Sequence, residues 1–147
     1  AKFIVIGDGP QRRELESTLL SSVPESAVSF LGELTGETLY EKFSSLDVLC
    51  SFAPSESYGR VAREALALGI PILARRSAGL DQLALEGAEE LIEFLPDKPT
   101  SENFISKGVA SLRIKVPESY FRVCKAKSEN SINQLIASWI EMVSLEK

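Results

Sequence analysis

Apolar positions open the chain without interruption: Phe3, Ile4, Val5 and Ile6 follow one another and stop at Gly7-Asp8-Gly9-Pro10. A continuous β-branched and aromatic run closed by glycines reads as a buried strand entering a tight turn. Pro10 suits the first turn of a helix. From residue 11 to about 21 the period changes, with Leu15, Leu19 and Leu20 on one side and Glu14 and Glu16 on the other, which predicts a helix. The same alternation recurs as a strand over 28–31, a helix over 36–45, a strand over 47–52, a helix over 58–68 and a strand over 70–74. A helix over 80–85 and a last strand over 90–95 follow, before the loop Pro96-Asp97-Lys98-Pro99.

Strands separated by single helices and short connections imply right-handed crossovers and parallel pairing. The expected fold is therefore α/β: a Rossmann-like parallel sheet with helices on both faces. Near the end, Ile132, Leu135, Ile136, Trp139, Ile140 and Val143 have the spacing of one helix face. Residues 116–147 are accordingly expected to form a C-terminal helical segment that packs on the core. Residues 1–147 read as one domain. Because the first residues already lie inside a strand, the chain is expected to be part of a longer protein with a domain upstream.

Composition narrows the chemistry. The net charge of −5 and the lack of a Lys/Arg-rich run argue against nucleic acid as a partner. Cys50 and Cys124 are the only cysteines and lie far apart, forming neither a disulfide framework nor a ligand cluster. A reducing, cytoplasmic setting is the expectation, with no stretch reaching the roughly 18 to 20 apolar residues of a membrane span. There is no histidine, which removes Ser-His-Asp and Cys-His triads and imidazole bases. No close acidic triplet suggests a metal.

In an open parallel sheet, ligands gather outside the carboxyl ends of the strands, so the strand-to-helix turns are the candidates. The first turn, Gly7-Asp8-Gly9-Pro10, can bring backbone amides close to a ligand or can serve the chain geometry alone. It is not a dinucleotide fingerprint, because Arg12 stands where a third glycine is needed and the next strand ends in Phe30-Leu31 rather than an acid.

The second turn, Ser55-Glu56-Ser57-Tyr58-Gly59-Arg60, opens a helix whose free amides and dipole form an anion seat. Ser57 can add a hydroxyl. Glu56 precedes that helix and Glu64 lies about two turns into it, roughly 10 Å further along, a separation comparable to the reach of a nucleotide sugar. Two readings remain open from spacing. The carboxylates can grip hydroxyls on either side of a diphosphate. Alternatively, Glu56 complements the helix start and Glu64 pairs with Arg60, for about 0.3–0.5 kcal/mol. At the third turn, Arg75-Arg76-Ser77-Ala78-Gly79, two arginines can compensate phosphate charge or stay solvated.

Taken together, these segments resemble a known family. The run from Ser55 to Ala74, with Glu56, seven residues and Glu64, is similar to the corresponding segment of the retaining family-4 glycosyltransferases. Phe3 to Pro10 resembles that family's "IVGDGP" strand and turn, Val28 to Gly32 its "V-x-F-L-G" strand, and Leu46 to Ser51 its "A-D-V-x-x-x-P-S" strand. The resemblance covers about residues 2–83. It implies the donor-binding half of a GT-B fold, working on a nucleoside-diphosphate sugar and needing no cofactor.

By that resemblance, Glu56 is the catalytic residue holding the transferred sugar, and Glu64 holds the ribose. The donor phosphates lie against the amides near Gly9 and Ser57 to Gly59, Leu31 and Gly32 lie near the base, and Gly7, Asp8, Tyr58 and Arg60 complete the nucleotide-sugar-binding set. The acceptor pocket and a basic pair for the diphosphate would come from the upstream domain, so the isolated chain is expected to be inactive. Two departures stand out: Arg75 and Arg76, and Glu86 to Ile92 in place of the family's "T-G-x-L" stretch. They leave a second possibility, an inactive interaction module with a decayed nucleotide site. A sugar-nucleotide epimerase of related fold is a third, disfavoured by the absence of histidine.

Overall fold

The computed structural model describes residues 1–117. The expected amphipathic tail helix, most of the 116–147 segment and Cys124 lie outside the described residues. The chain divides into two compact units, residues 1–43 and the part from residue 44 onward, which are taken in turn.

In the first unit, strand β1 (Phe3–Val5) is followed by helix α1 (Arg12–Ser22), a 3-10 turn at Glu25–Ala27, strand β2 (Val28–Phe30) and helix α2 (Gly36–Phe43). The strands pair in parallel, with Phe3 opposite Val28 and Val5 opposite Phe30. Ladder bonds extend past the strand ends, from the Leu31 amide to the Val5 carbonyl at 3.0 Å and from the Gly7 amide to the Gly32 carbonyl at 2.7 Å. Val28 and Phe43 are the buried residues here.

The second unit contains β3 (Leu49–Ser51), α3 (Arg60–Ala67), β4 (Ile72–Ala74), α4 (Ala78–Leu83), a wide π-type turn at Ala84–Ala88, a 3-10 turn at Glu89–Leu91, β5 (Ile92–Phe94) and α5 (Ser101–Ser111). Its parallel sheet has the order β3-β4-β5, with Cys50 opposite Leu73 and Leu73 opposite Glu93. Alternation along β4 sends its side chains to opposite faces. Ile72 and Ala74 join a buried cluster with Ala62 and Leu66 of α3 and with Leu80 and Leu83 of α4. On the other face, the Leu73 side chain lies beside Gly108 of α5. Helices thus cover both sides of the central strand, as the sequence pattern predicts.

The buried stripe of α3, Ala62, Ala65 and Leu66, has the spacing of a helix face turned inward. Small alanines let the helix approach the sheet closely. Helix α5 was not expected from the sequence. It starts at a reciprocal cap in which the Asn103 amide donates to the Thr100 hydroxyl at 3.2 Å and the Thr100 amide donates to the Asn103 side-chain oxygen at 3.1 Å.

Candidate functional site

In the first unit, the turn after β1 is built around Asp8. One carboxylate oxygen accepts the Gly9 amide at 2.9 Å, and the other faces the Arg12 guanidinium at 3.5 Å. Arg12 also donates to Glu16 at 2.8 Å. Gly7 takes φ 129° and Gly32 φ 70°, both in the left-handed range where glycine is favoured. A side chain at Gly32 would meet the Arg12 guanidinium at 3.2 Å. The structure therefore brings Gly7, Asp8, Gly9, Leu31 and Gly32 together at the carboxyl ends of β1 and β2. Beneath the turn lies a hollow of about 340 Å³ walled by Val5, Ile6, Gly7, Leu15 and Phe30, with Arg12 at its edge.

Arg12 is a residue that sequence reasoning passed over, treating it only as the side chain that excludes a dinucleotide fingerprint. Its signal was its place four residues before Glu16 at the start of a predicted helix, where i and i+4 side chains meet, with Asp8 four residues upstream in the turn.

In the second unit, the loop after β3 carries Glu56, Ser57, Tyr58, Gly59 and Arg60, and Glu64 follows on α3. Gly59, at φ 71°, is the residue that turns the chain into the helix, so α3 begins at Arg60 rather than at Tyr58. The Glu56 carboxylate folds back onto this turn. Its Oε1 accepts the Tyr58 amide at 3.0 Å and the Gly59 amide at 2.8 Å. Those bonds, Gly59's foremost, hold the Glu56 carboxyl below the usual glutamate range, and the charge of nearby Arg60 adds to the effect. Part of the anion seat expected at 57–59 is thus already taken by Glu56 itself. Oε2 remains open to another donor.

Glu64 is half-buried and makes no side-chain hydrogen bond or ion pair among the described residues. The alternative pairing with Arg60 is not formed. Ser57 and Arg60 are exposed. The amides of Arg60, Val61 and Ala62 have no carbonyl partner one turn back, as at any helix start, and the ladder of α3 begins with the Arg63 amide donating to the Gly59 carbonyl at 2.9 Å.

The third turn supports the second. The Gly79 amide donates to the Glu56 carbonyl at 2.9 Å. A methyl group on Gly79 would lie 2.6 Å from the amide nitrogens of both Gly59 and Tyr58, so the first turn of α4 lies with its backbone directly on that of the Glu56 loop. Ser77 caps α4 by accepting the Leu80 amide at 3.4 Å. Of the two arginines, Arg76 pairs with Asp81 at 2.6 Å and stacks 4.4 Å over the Phe94 ring, whereas Arg75 is exposed.

A model of the family described as glycosyl transferases group 1 matches residues 1–109. The chain is 33% identical over 107 residues to the sulfoquinovosyl transferase SQD2 of Arabidopsis thaliana, covering 73% of this chain and 20% of that protein. It is 32% identical over 78 residues to a GDP-mannose-dependent alpha-mannosyltransferase of Mycobacterium tuberculosis, covering 53% of this chain and 19% of the relative. The chain therefore spans about a fifth of the length of these curated relatives. Among solved structures, it is similar to AviGT4, a glycosyltransferase involved in avilamycin A biosynthesis, with a TM-score of 0.63 at 13% identity over 90% of this chain and 42% of that one. No helix among the described residues is long and apolar enough to cross a membrane. With its parallel α/β architecture, its glycine turn after β1 and its paired glutamates around the start of α3, the chain belongs to the group 1 glycosyltransferase family.

Proposed function

We propose that this chain is the donor-gripping part of a retaining glycosyltransferase that moves a sugar from a nucleoside diphosphate to an acceptor. In this reading the diphosphate lies at the amino end of α3, against first-turn amides, with Ser57 and Arg60 beside it. Glu56 presents Oε2 to the hydroxyls of the transferred sugar, and Glu64 accepts from the ribose. Within the first unit, taken by itself, Gly7, Asp8, Gly9, Leu31 and Gly32 form a turn suited to a nucleotide. The acceptor and further basic groups for the diphosphate belong to a partner domain of the same parent chain.

The observation that carries the reading is the contrast between the two carboxylates. Glu56 is oriented by two amides yet keeps one oxygen open, and Glu64 is half-buried without a protein partner among the described residues. A partly buried carboxylate gains most from an added donor. The chemistry needs no protein nucleophile: helix amides and basic groups stabilise the departing diphosphate as its charge develops.

Calorimetric titration of the chain with UDP, GDP, ADP and inorganic pyrophosphate tests this. Glu64→Ala is expected to weaken the preferred nucleotide about tenfold, the loss of a hydrogen bond to a charged group, while pyrophosphate binding stays the same. Equal nucleotide affinity in the variant would remove the ribose role.

A further inference from the structure

Three groups in the second unit are joined by one side chain that neither the family motif nor the donor reading uses. Arg63, on the first turn of α3, donates from Nε to the Tyr58 carbonyl at 3.1 Å, and its guanidinium lies 4.4 Å over the Tyr58 ring. Its other edge forms a two-pronged pair with Glu86, Nη1 to Oε2 at 2.7 Å and Nη2 to Oε1 at 3.2 Å. Gln82 donates to the same Glu86 oxygen at 3.2 Å. Tyr58 is 61% exposed, so packing against the core does not fix it.

We propose that Arg63 and Glu86 act as positioning residues for the sugar-holding carboxylate, locking the Tyr58-Gly59 turn on which Glu56 rests. The proposal deepens the donor reading and rests on it. Glu56 is aimed by the amides of Tyr58 and Gly59. A planar guanidinium presents donors in a fixed fork, so one group can hold the Tyr58 carbonyl and a carboxylate at once. Glu86 sits in the π-type turn, where the chain departs from helical geometry at Gly87, φ 105°. That irregularity belongs to the stretch replacing the family's usual "T-G-x-L" segment, which here supplies the anchor for the turn.

The test uses the full 147-residue chain, isotopically labelled, with Arg63→Leu, Arg63→Lys and Glu86→Gln. Hydrogen exchange and amide resonances of Tyr58 and Gly59 are followed alongside those of Ile72 to Ala74, and each protein is titrated with UDP, GDP and ADP and with the glucose and mannose conjugates of each. Arg63→Leu and Glu86→Gln are expected to speed exchange at Tyr58 and Gly59 about tenfold or more and to weaken the preferred nucleotide sugar about tenfold, more than they weaken its nucleoside diphosphate, with β4 exchange unchanged. Arg63→Lys, keeping charge but not the fork, is expected to fall in between. If Arg63→Leu does not fold, the other two variants carry the comparison. A wild-type chain that binds none of the nucleotides removes the donor reading. Wild-type binding, with unchanged Tyr58 and Gly59 amides and unchanged affinity in the variants, overturns the positioning role alone.

Discussion

At the scale of single residues, Glu56 is a side chain whose ionised form the local turn favours. Its carboxyl is held below the usual glutamate range by the Gly59 and Tyr58 amides. A depressed acid contributes stability that is complete above its unfolded value, about 4.3 for glutamate, and is lost as pH falls through the folded value. Glu56→Gln removes the charge. The stability gap between wild type and Glu56→Gln, measured by urea unfolding, is therefore expected to be widest near neutrality and to close on acidification below about pH 4. A gap that is constant with pH would mean that the two amide bonds give the charged form no advantage. Arg60 reinforces the same preference through its charge.

At the scale of elements, the Glu56 loop depends on α4 as much as on α3. Because a methyl group at Gly79 would stand 2.6 Å from two amide nitrogens of the loop, Gly79→Ala is expected to cost about 1–3 kcal/mol, the range for forcing atoms into a packed site. Denaturant midpoints at unchanged m-value would measure it, and a neutral effect would show that the two turns can slide apart freely. Most of the element order was legible in the sequence, because each switch between continuous apolar runs and helical spacing marks a strand or helix directly. Boundaries were less so. The start of α3 moved to Arg60 because Gly59 adopts a left-handed conformation, which a glycine permits but does not announce. Helix α5 was missed because its cap pairs Thr100 with Asn103 rather than with Glu or Gln, and because Ile105 and Val109 remain exposed, blurring the apolar stripe. Likewise, the Glu56, Glu64 and glycine-turn positions could be read from motif spacing. The Arg63–Glu86 pair joins residues 23 positions apart, a contact that only the folded chain reveals.

At the scale of the molecule, burial is unevenly distributed between the two units. Ile72, Leu73 and Ala74 of β4 are at most 1% exposed, whereas in residues 1–43 the buried hydrophobics are Val28 and Phe43. Local opening tracks buried apolar contact, so amides of β4 are expected to exchange slowest in the described chain and those of β1 and β2 faster. Uniform protection across both ladders, measured by hydrogen exchange, would contradict that ranking. The contact between Gly59 and Gly79 also limits how this pair of turns can vary. Where two connecting loops meet main chain to main chain, substitution at the seam is sterically closed. Variation at this end of the unit must then fall on the exposed side chains around the margin, Ser57, Arg60 and Arg75 among them, while the seam itself stays fixed.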